Sequence, residues 1–258
     1  MNNTSSSLVL SKVPAVTLTF WIIKIAATTL GETGGDSVTM TLDWGYLAGT
    51  ALFLGLLVVL VVAQIAARRF HPLLYWATIV ASTTFGTTMA DLADRSLGIG
   101  YAGGSALLFA LLAATLGLWY RTEGSISVNT VTTPRIEAFY WAAITVSQTL
   151  GTAHGDWIAD SGLGFGRGAL VFAAAIALVA GLYVWTRISR VVLFWAAFIL
   201  TRPLGATVGD FLDKPVHDGG LALSRPLASL AIAAFIAVCL ALLPQRAGRH
   251  PELAEQRA

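Results

Sequence analysis

The segment Trp141-Ala-Ala-Ile-Thr-Val-Ser-Gln-Thr-Leu-Gly-Thr-Ala-His-Gly-Asp156 begins as an apolar run, becomes polar over its last third and ends on Gly-Asp. Its order, a Trp followed by Gly ten residues later and Asp fifteen residues later, occurs four times in the chain. The anchors are Trp21, Gly31 and Asp36; Trp76, Gly86 and Asp91; Trp141, Gly151 and Asp156; and Trp195, Gly205 and Asp210. Four copies in one register are an internal repeat, and a repeat limits the folds that the chain can adopt.

The composition is that of an integral membrane protein. The chain has 258 residues, of which 56% are hydrophobic and 12% are charged, and this balance is too apolar for an ordinary soluble domain. The apolar residues form blocks of about 20, the length that a helix needs to cross a bilayer. Eight blocks can be bracketed, at 14–35, 45–66, 72–92, 101–120, 136–157, 168–186, 191–211 and 226–243.

Charge and cysteine content exclude several classes of partner and site. The net charge is only +2, and the basic residues are scattered through short loops, which argues against a nucleic-acid partner. The single cysteine, Cys239, allows neither a disulfide framework nor a cysteine-based metal site.

The repeat occupies the odd-numbered blocks, and the even-numbered blocks are plain apolar sequence. We therefore predict an all-α integral membrane protein with eight transmembrane helices, arranged as four parallel two-helix repeats in a single membrane domain over residues 1–258. The predicted repeats cover approximately 12–67, 68–121, 134–187 and 188–245, with a cytoplasmic loop at 121–134 between the halves. Two spans per repeat give every repeat the same orientation, related by an axis along the membrane normal. A pseudo-fourfold ring and a pair of pairs both satisfy this condition.

The distribution of charge orients the predicted helices. Arginines and Lys12 dominate the loops that enter the odd blocks, whereas acidic residues dominate the opposite loops. By the positive-inside rule both termini are cytoplasmic and the Gly-Asp ends face outward. The four repeat Trps then lie one turn inside the cytoplasmic boundary, where an interfacial aromatic belt is expected.

The four repeat aspartates occupy equivalent positions, so a symmetric arrangement would bring their carboxylates towards one axis. Each lies at the C-terminal end of a predicted helix, where the helix dipole disfavours a carboxylate by up to about 1 kcal/mol. An anion repeated at this pole predicts a cation beside it. The alternative is that the aspartates mark the outer water boundary, which explains their position but not the repeated residues around them.

The neighbouring polar residues predict an oxygen-rich ligand set. Backbone carbonyls freed past the repeat glycines and the hydroxyls of Thr33, Thr88 and Thr207 would suit hard cations such as Na⁺, Mg²⁺, Ca²⁺ or Mn²⁺. An imidazole favours a transition metal, although a lone intramembrane histidine is also a common packing residue. The predicted metal ligands are Glu32, Asp36, Asp91, His154, Asp156 and Asp210. The second acids are interpreted as solvated loop residues; they are Asp94, Asp160 and Asp213.

Two basic residues lie deep within predicted spans. Lys24 follows the first repeat Trp by three residues, and Arg202 lies in the seventh block directly before a proline. A charge at the bilayer centre costs about 2.5–3.5 kcal/mol on insertion scales, so each should face the interior with a partner, such as Glu32 or a repeat aspartate. One interpretation makes the two residues tethered cations that exchange partners with a transported ion or proton. The other is a fixed ion pair that locks two repeats together.

The repeats differ in polar detail, which favours an asymmetric site over a pore with four equal walls. Glu32 and His154 replace uncharged residues of the other copies, and Gln148 and Arg202 stand where the first two repeats have threonine.

The pattern resembles a family of bacterial inner-membrane proteins built from four tandem DUF347 repeats, each with two predicted spans. Trp21, Trp76, Trp141 and Trp195, with their Gly-to-Asp tails, carry the resemblance, which covers nearly the whole chain. It implies a multi-pass protein of the bacterial inner membrane and supplies no activity.

We interpret the chain as a transporter of a small inorganic cation, with export of a divalent metal such as Mn²⁺, coupled to protons, as its most specific form. The expected partners are the cation and the lipid bilayer, with homo-oligomerisation left open, and no cofactor is expected apart from a bound divalent cation. One alternative is a non-transporting membrane scaffold or assembly factor. A second is an intramembrane enzyme, for which the sequence offers no nucleophile–base pair.

Overall fold

The structure is a computed structural model that describes residues 10–249, and most of these residues are helical. The α-helices are α1 (Leu18–Asp36), α2 (Gly45–Ala66), α3 (Pro72–Asp91), α4 (Tyr101–Glu123), α5 (Pro134–Ile158), α6 (Gly164–Trp185), α7 (Arg190–Asp213) and α8 (Arg225–Leu242). Two short strands, β1 (Leu10–Pro14) and β2 (Ala247–Arg249), pair antiparallel. The prediction of an all-α architecture is confirmed.

Several helices are long and apolar enough to cross a membrane. By length and composition the described residues contain five such segments, namely α2, α4, α7, α8 and Pro134–Trp185, which comprises α5 and α6 with a break in helical geometry at Gly162. Helices α1 and α3 are more polar because most of their residues are buried against other helices. A helix enclosed by protein does not need an apolar surface.

The four odd-numbered helices form a closed ring. Helix α1 packs against α3, α3 against α5, α5 against α7, and α7 against α1. The repeat glycines make these approaches close: a Cβ on Gly31 would lie 2.5 Å from Cβ of Thr83, and one on Gly205 would lie 2.5 Å from Cβ of Thr28. Gly86 meets Gln148 in the same way, and Gly151 meets Arg202. Small residues let helix backbones approach closely, so the repeat glycine closes each of the four contacts of a pseudo-fourfold ring.

The even-numbered helices surround the ring and interlock the repeats. Helix α2 packs on α3, α4 on α5, α6 on α7, and α8 on α1. Each even helix therefore contacts the odd helix of the next repeat along the ring. Their outward faces are apolar and exposed, as Leu47, Leu107, Leu170 and Leu227 illustrate. Such a surface suits contact with lipid chains.

A cap closes the end of the ring where the odd helices begin. It consists of β1, β2 and the segment between α4 and α5, and the backbone N–H of Lys12 donates to the carbonyl of Val131 at 2.9 Å. Within this end Trp76, Trp141 and Trp195 are only 1%, 3% and 4% exposed. The expectation of an interfacial belt is wrong for these three residues, because the ring packs them inside the protein. Only Trp21 of the four is partly exposed.

The opposite end of the ring carries the repeat aspartates. Helices α1, α3 and α5 each continue into a π-helical turn, at Ser37–Thr41, Leu92–Ser96 and Ala159–Leu163, whereas α7 ends at Asp213. The helices do not unwind after the repeat glycines. The carbonyl of Gly31, for example, accepts a hydrogen bond from Oγ1 of Thr87 at 3.2 Å, so the predicted freed carbonyls are absent there and cannot serve as ligands.

Candidate cation site

Every fourth residue of each odd helix lies inside the ring. Four residues of α-helix rise about 6 Å, so the four rows form layers that stack along the ring axis. From the capped end the layers are Phe20, Tyr75, Tyr140 and Phe194; Lys24, Ile79, Ile144 and Phe198; Thr28, Thr83, Gln148 and Arg202; Glu32, Thr87, Thr152 and Ala206; and Asp36, Asp91, Asp156 and Asp210. All of these residues are buried. The aromatic layer closes the capped end, where the hydroxyls of Tyr75 and Tyr140 are 2.5 Å apart.

Arg202 joins all four odd helices. Its side chain is fully buried, and its Nη2 lies 3.0 Å from Oε2 of Glu32 on α1. The same nitrogen donates to Thr87 on α3 and to Thr152 on α5, each at 2.5 Å. Arg202 is itself part of α7, so this one guanidinium ties the four repeats together and forms an ion pair between the first and the last.

Lys24 has no acidic partner among residues 10–249. Its Nζ lies 4.2 Å from the centre of the Phe198 ring and makes no hydrogen bond. The expectation that a carboxylate would pair with this lysine is therefore wrong: Glu32 pairs with Arg202 instead.

Two groups of carboxylates lie at the end of the ring that is opposite the cap. Glu32, Asp156 and Asp210 each place one oxygen within 4.8 Å of the others, and Asp36, Asp210 and Asp213 do the same. Asp210 belongs to both groups, so the two positions adjoin. Asp213 is buried, which corrects the interpretation of it as a solvated loop residue.

Basic side chains compensate most of these acids. Nζ of Lys214 lies 2.5 Å from Asp36 and 3.0 Å from Asp210. Arg95 forms an ion pair with Asp91 at 2.6 Å. Arg225 lies 3.5 Å from Asp213 and 3.8 Å from Asp36. Burial alone would lower the pKa of Lys214, but the carboxylates of Asp210 and Asp36 raise the pKa above its ordinary value, so the ammonium stays charged.

Asp156 is the exception. It is 5% exposed and has no ion-pair partner in the part of the chain that the structure describes. Among the described residues, the buried carboxylates at this end of the ring are those of Glu32, Asp36, Asp91, Asp156, Asp210 and Asp213. The basic side chains that pair with them are Arg95, Arg202, Lys214 and Arg225. With all of these groups ionised, the six acids exceed the four bases by two negative charges, which one divalent cation would balance.

A family comparison agrees with the internal repeat. The model of the Repeat of Unknown Function (DUF347) matches residues 19–70, 74–125, 139–189 and 193–245. The chain belongs to the DUF347 repeat family. This confirms the resemblance drawn from the four Trp-to-Asp segments. No curated protein and no solved structure matches this DUF347 chain.

The other sequence-predicted residues of this DUF347 protein lie off the axis, with one exception. His154 is partly buried, and its Nδ1 contacts the carbonyl oxygen of Leu150 at 3.0 Å, so it does not join either carboxylate group. The hydroxyls of Thr33, Thr88 and Thr207 donate to carbonyls of their own helices. The exception is Gln148, which lies in the same layer as Arg202.

Sequence reasoning missed the cations at the acidic end. Arg95 and Lys214 each follow a repeat aspartate by four residues, a spacing that places two side chains on one helix face, so the signal was present. It also missed Thr87, which is one residue before the proposed Thr88, and Thr152, which occupies the position of Thr87 in the third repeat. The contact between Asp213 and Arg225 joins the end of α7 to the start of α8. It has no regular spacing in the sequence from which it could be predicted.

Proposed function

We propose that the protein is a membrane transporter of a small inorganic cation, with a divalent metal such as Mn²⁺ as its substrate. The observation that carries this proposal is the group of Glu32, Asp156 and Asp210, in which three buried carboxylates converge and Asp156 has no basic partner among residues 10–249. Buried charges are normally paired or coordinate a metal. An oxygen-only ligand set suits a hard divalent ion.

The proposed topology has all eight helices crossing the bacterial inner membrane, with both termini cytoplasmic and the acidic end facing outward. Two observations support it. Strands β1 and β2 pair with each other, so both ends of the described chain lie on one side. The loop between α4 and α5 joins them there, while all four repeat aspartates lie at the opposite end of the ring.

The charges along the axis favour a carrier over an open channel. A cation that entered from the acidic end would meet Arg202 and then Lys24 before reaching the aromatic layer. These two positive charges oppose passage along a static axis. In the proposed mechanism the acidic end binds the ion, and movement of the two halves exposes it to the other side.

Proton exchange fits the same carboxylates. Metal ligands must be deprotonated, so metal binding releases protons. Asp156, which has no ion-pair partner among the described residues, would lose a proton as the ion enters and regain it when the ion leaves, which would couple export of the metal to entry of protons.

The experiment that tests this function is ion-dependent thermal stabilisation of the purified protein in detergent. A ligand that binds only the folded state raises stability once its concentration exceeds Kd. We expect Mn²⁺ to raise the Tm of the wild type and to have little effect on Asp156→Asn. The matched control is Asp160→Asn, because Asp160 is exposed and accepts a hydrogen bond from Tyr101; this variant should respond as the wild type does. An equal response in all three proteins, or none in the wild type, would favour the scaffold alternative.

A further inference from the structure

Among the described residues, a group of buried polar atoms without hydrogen-bond partners lies between the acidic end and the aromatic layer, in the two layers that contain Lys24 and Arg202. Within the described part of the chain, no hydrogen-bond partner is found for Nζ of Lys24, for Nε of Arg202, or for either amide atom of Gln148. All three side chains are fully buried. Buried polar groups in folded proteins almost always have partners, and in a bilayer no bulk water reaches them. Three such residues in adjacent layers therefore indicate a ligand.

The chemistry of these atoms selects the sign of that ligand. An ammonium has three donors and no acceptor, and the Nε of a guanidinium is also only a donor. The amide of Gln148 adds two further donors beside its one acceptor oxygen. A ligand for this set must accept hydrogen bonds, so it differs in kind from the cation that the carboxylates would bind.

The charge of the ligand follows from the pairing already described. Arg202 is neutralised by Glu32 at 3.0 Å, whereas Lys24 has only the face of the Phe198 ring. With Lys24 protonated, one positive charge is left over in these two layers. A single monovalent anion would neutralise it.

The walls limit the size of this anion. Ile79, Ile144 and Phe198 fill the rest of the layer that contains Lys24, and each of them is fully buried. The next layer lies only about 6 Å along the axis. These dimensions fit a monatomic ion better than a branched oxyanion.

We propose that Lys24, Gln148 and Arg202 form a binding site for a small monovalent anion, with chloride as the best fit, inside the ring. None of the other three repeats can form the equivalent site, because Ile79, Ile144 and Phe198 stand where the first repeat has Lys24. None of the unsatisfied atoms of this site belongs to a carboxylate, but Arg202 also pairs with the proposed metal ligand Glu32, so chloride binding is tested without added metal.

The test measures chloride binding to the purified full-length protein. Thermal unfolding is followed in sodium chloride and in sodium gluconate at equal ionic strength, without added metal, and equilibrium binding of radioactive chloride is measured in parallel. The wild-type Tm should rise with chloride concentration. In Lys24→Met chloride should bind at least about tenfold more weakly, since a hydrogen bond to a charged group is lost, and the Tm should no longer depend on chloride. Gln148→Leu should weaken binding by a smaller factor.

Two comparisons separate a site from a general salt effect or a loss of folding. Lys12→Met is the matched control, because Lys12 is also buried but pairs with Glu137 at 2.5 Å; its response to chloride should equal that of the wild type. Lys24→Met should be more stable than the wild type in gluconate, because it removes an unpaired buried charge. The proposal is overturned if the wild type binds no chloride, which would leave water alone as the partner of these atoms. It is also overturned if Lys24→Met binds chloride as tightly as Lys12→Met.

Discussion

Replacing Glu32 by glutamine tests whether the central ion pair holds the ring together. The change keeps the size of the side chain and removes the charge that faces Nη2 of Arg202 at 3.0 Å. The guanidinium would then remain fully buried with only neutral partners, namely Thr87, Thr152 and the carbonyl of Thr28. Removing one partner of a buried pair typically costs about 3–5 kcal/mol. Because glutamine and two threonines still solvate the arginine, we expect a loss near the lower end, about 3 kcal/mol.

The assay is the free energy of unfolding in mixed detergent, followed by tryptophan fluorescence at constant chloride and without metal. Glu123→Gln is the matched control: its partner is Arg135 at 3.1 Å, and the Arg135 side chain is 67% exposed. An exposed pair contributes about 0–1 kcal/mol, so this variant should lose little. Glu32→Gln combined with Arg202→Met should recover much of the loss, because the guanidinium that lost its counterion is then also removed. If Glu32→Gln is no less stable than Glu123→Gln, the central pair does not hold the ring and the reasoning is refuted.

Three further predictions concern the acidic end, the ring contacts and the aromatic layer. Lys214→Met should bind Mn²⁺ about tenfold more tightly, equal to about 1.4 kcal/mol, in a calorimetric titration, because Nζ of Lys214 lies 3.0 Å from Asp210, one of the three proposed ligands, and would compete with the ion for it; weaker or unchanged binding would show that Lys214 does not compete for this carboxylate. Gly86→Ala places a Cβ 2.9 Å from the backbone of Gln148 and should lower the free energy of unfolding by about 1–3 kcal/mol, whereas Gly55→Ala, with open space around it, should not. Tyr75→Ala should let ions leak through the protein in liposomes, as measured by dye quenching, if the aromatic layer is the inner seal; an impermeable variant would argue against that role.

The presence of four repeats was predictable because the same residue spacing occurs four times in the sequence. A Trp, a Gly ten residues later and an Asp fifteen residues later require the same helix at four places, and blocks of apolar sequence mark the helices between them. The sequence could not choose between a ring and a pair of pairs. That choice depends on which helices the glycines contact, and Gly31 contacts Thr83 whereas Gly205 contacts Thr28, a cyclic order that no local pattern contains.

The site was predictable in its charges but not in their pairing. The four repeat aspartates share one layer, as their equivalent positions predicted, but Glu32 pairs with Arg202 of the adjacent layer, a contact between non-equivalent positions that the repeat does not reveal. Lys24 was expected to find an acid, and instead lies over an aromatic ring. A single residue of error along a helix turns a side chain by about 100°, which explains why Thr88 was proposed although Thr87 is the threonine that faces Arg202.

The prediction that the repeat Trps lie at the lipid interface was wrong for Trp76, Trp141 and Trp195, for a related reason. The position of a Trp along the sequence places it near the end of a predicted span, but does not show whether its side chain faces lipid or protein. Trp195 donates to the carbonyl of Ile126 at 3.0 Å, and Trp76 donates to Gln245 at 3.2 Å. Both partners belong to segments that cover the capped end, and their position there could not be inferred from spacing within the repeat.

The measurement that tests the central claim most directly is Mn²⁺ flux through purified protein reconstituted in liposomes that contain a quenchable dye. The account predicts saturable flux in the wild type and in Asp160→Asn, and flux close to that of empty liposomes in Asp156→Asn, with all three proteins folded and inserted equally. Equal flux in Asp156→Asn and Asp160→Asn would show that the unpaired carboxylate is not the cation site. Absence of flux in the wild type for Mn²⁺ and for the other hard cations would contradict the proposal that this protein is a cation transporter.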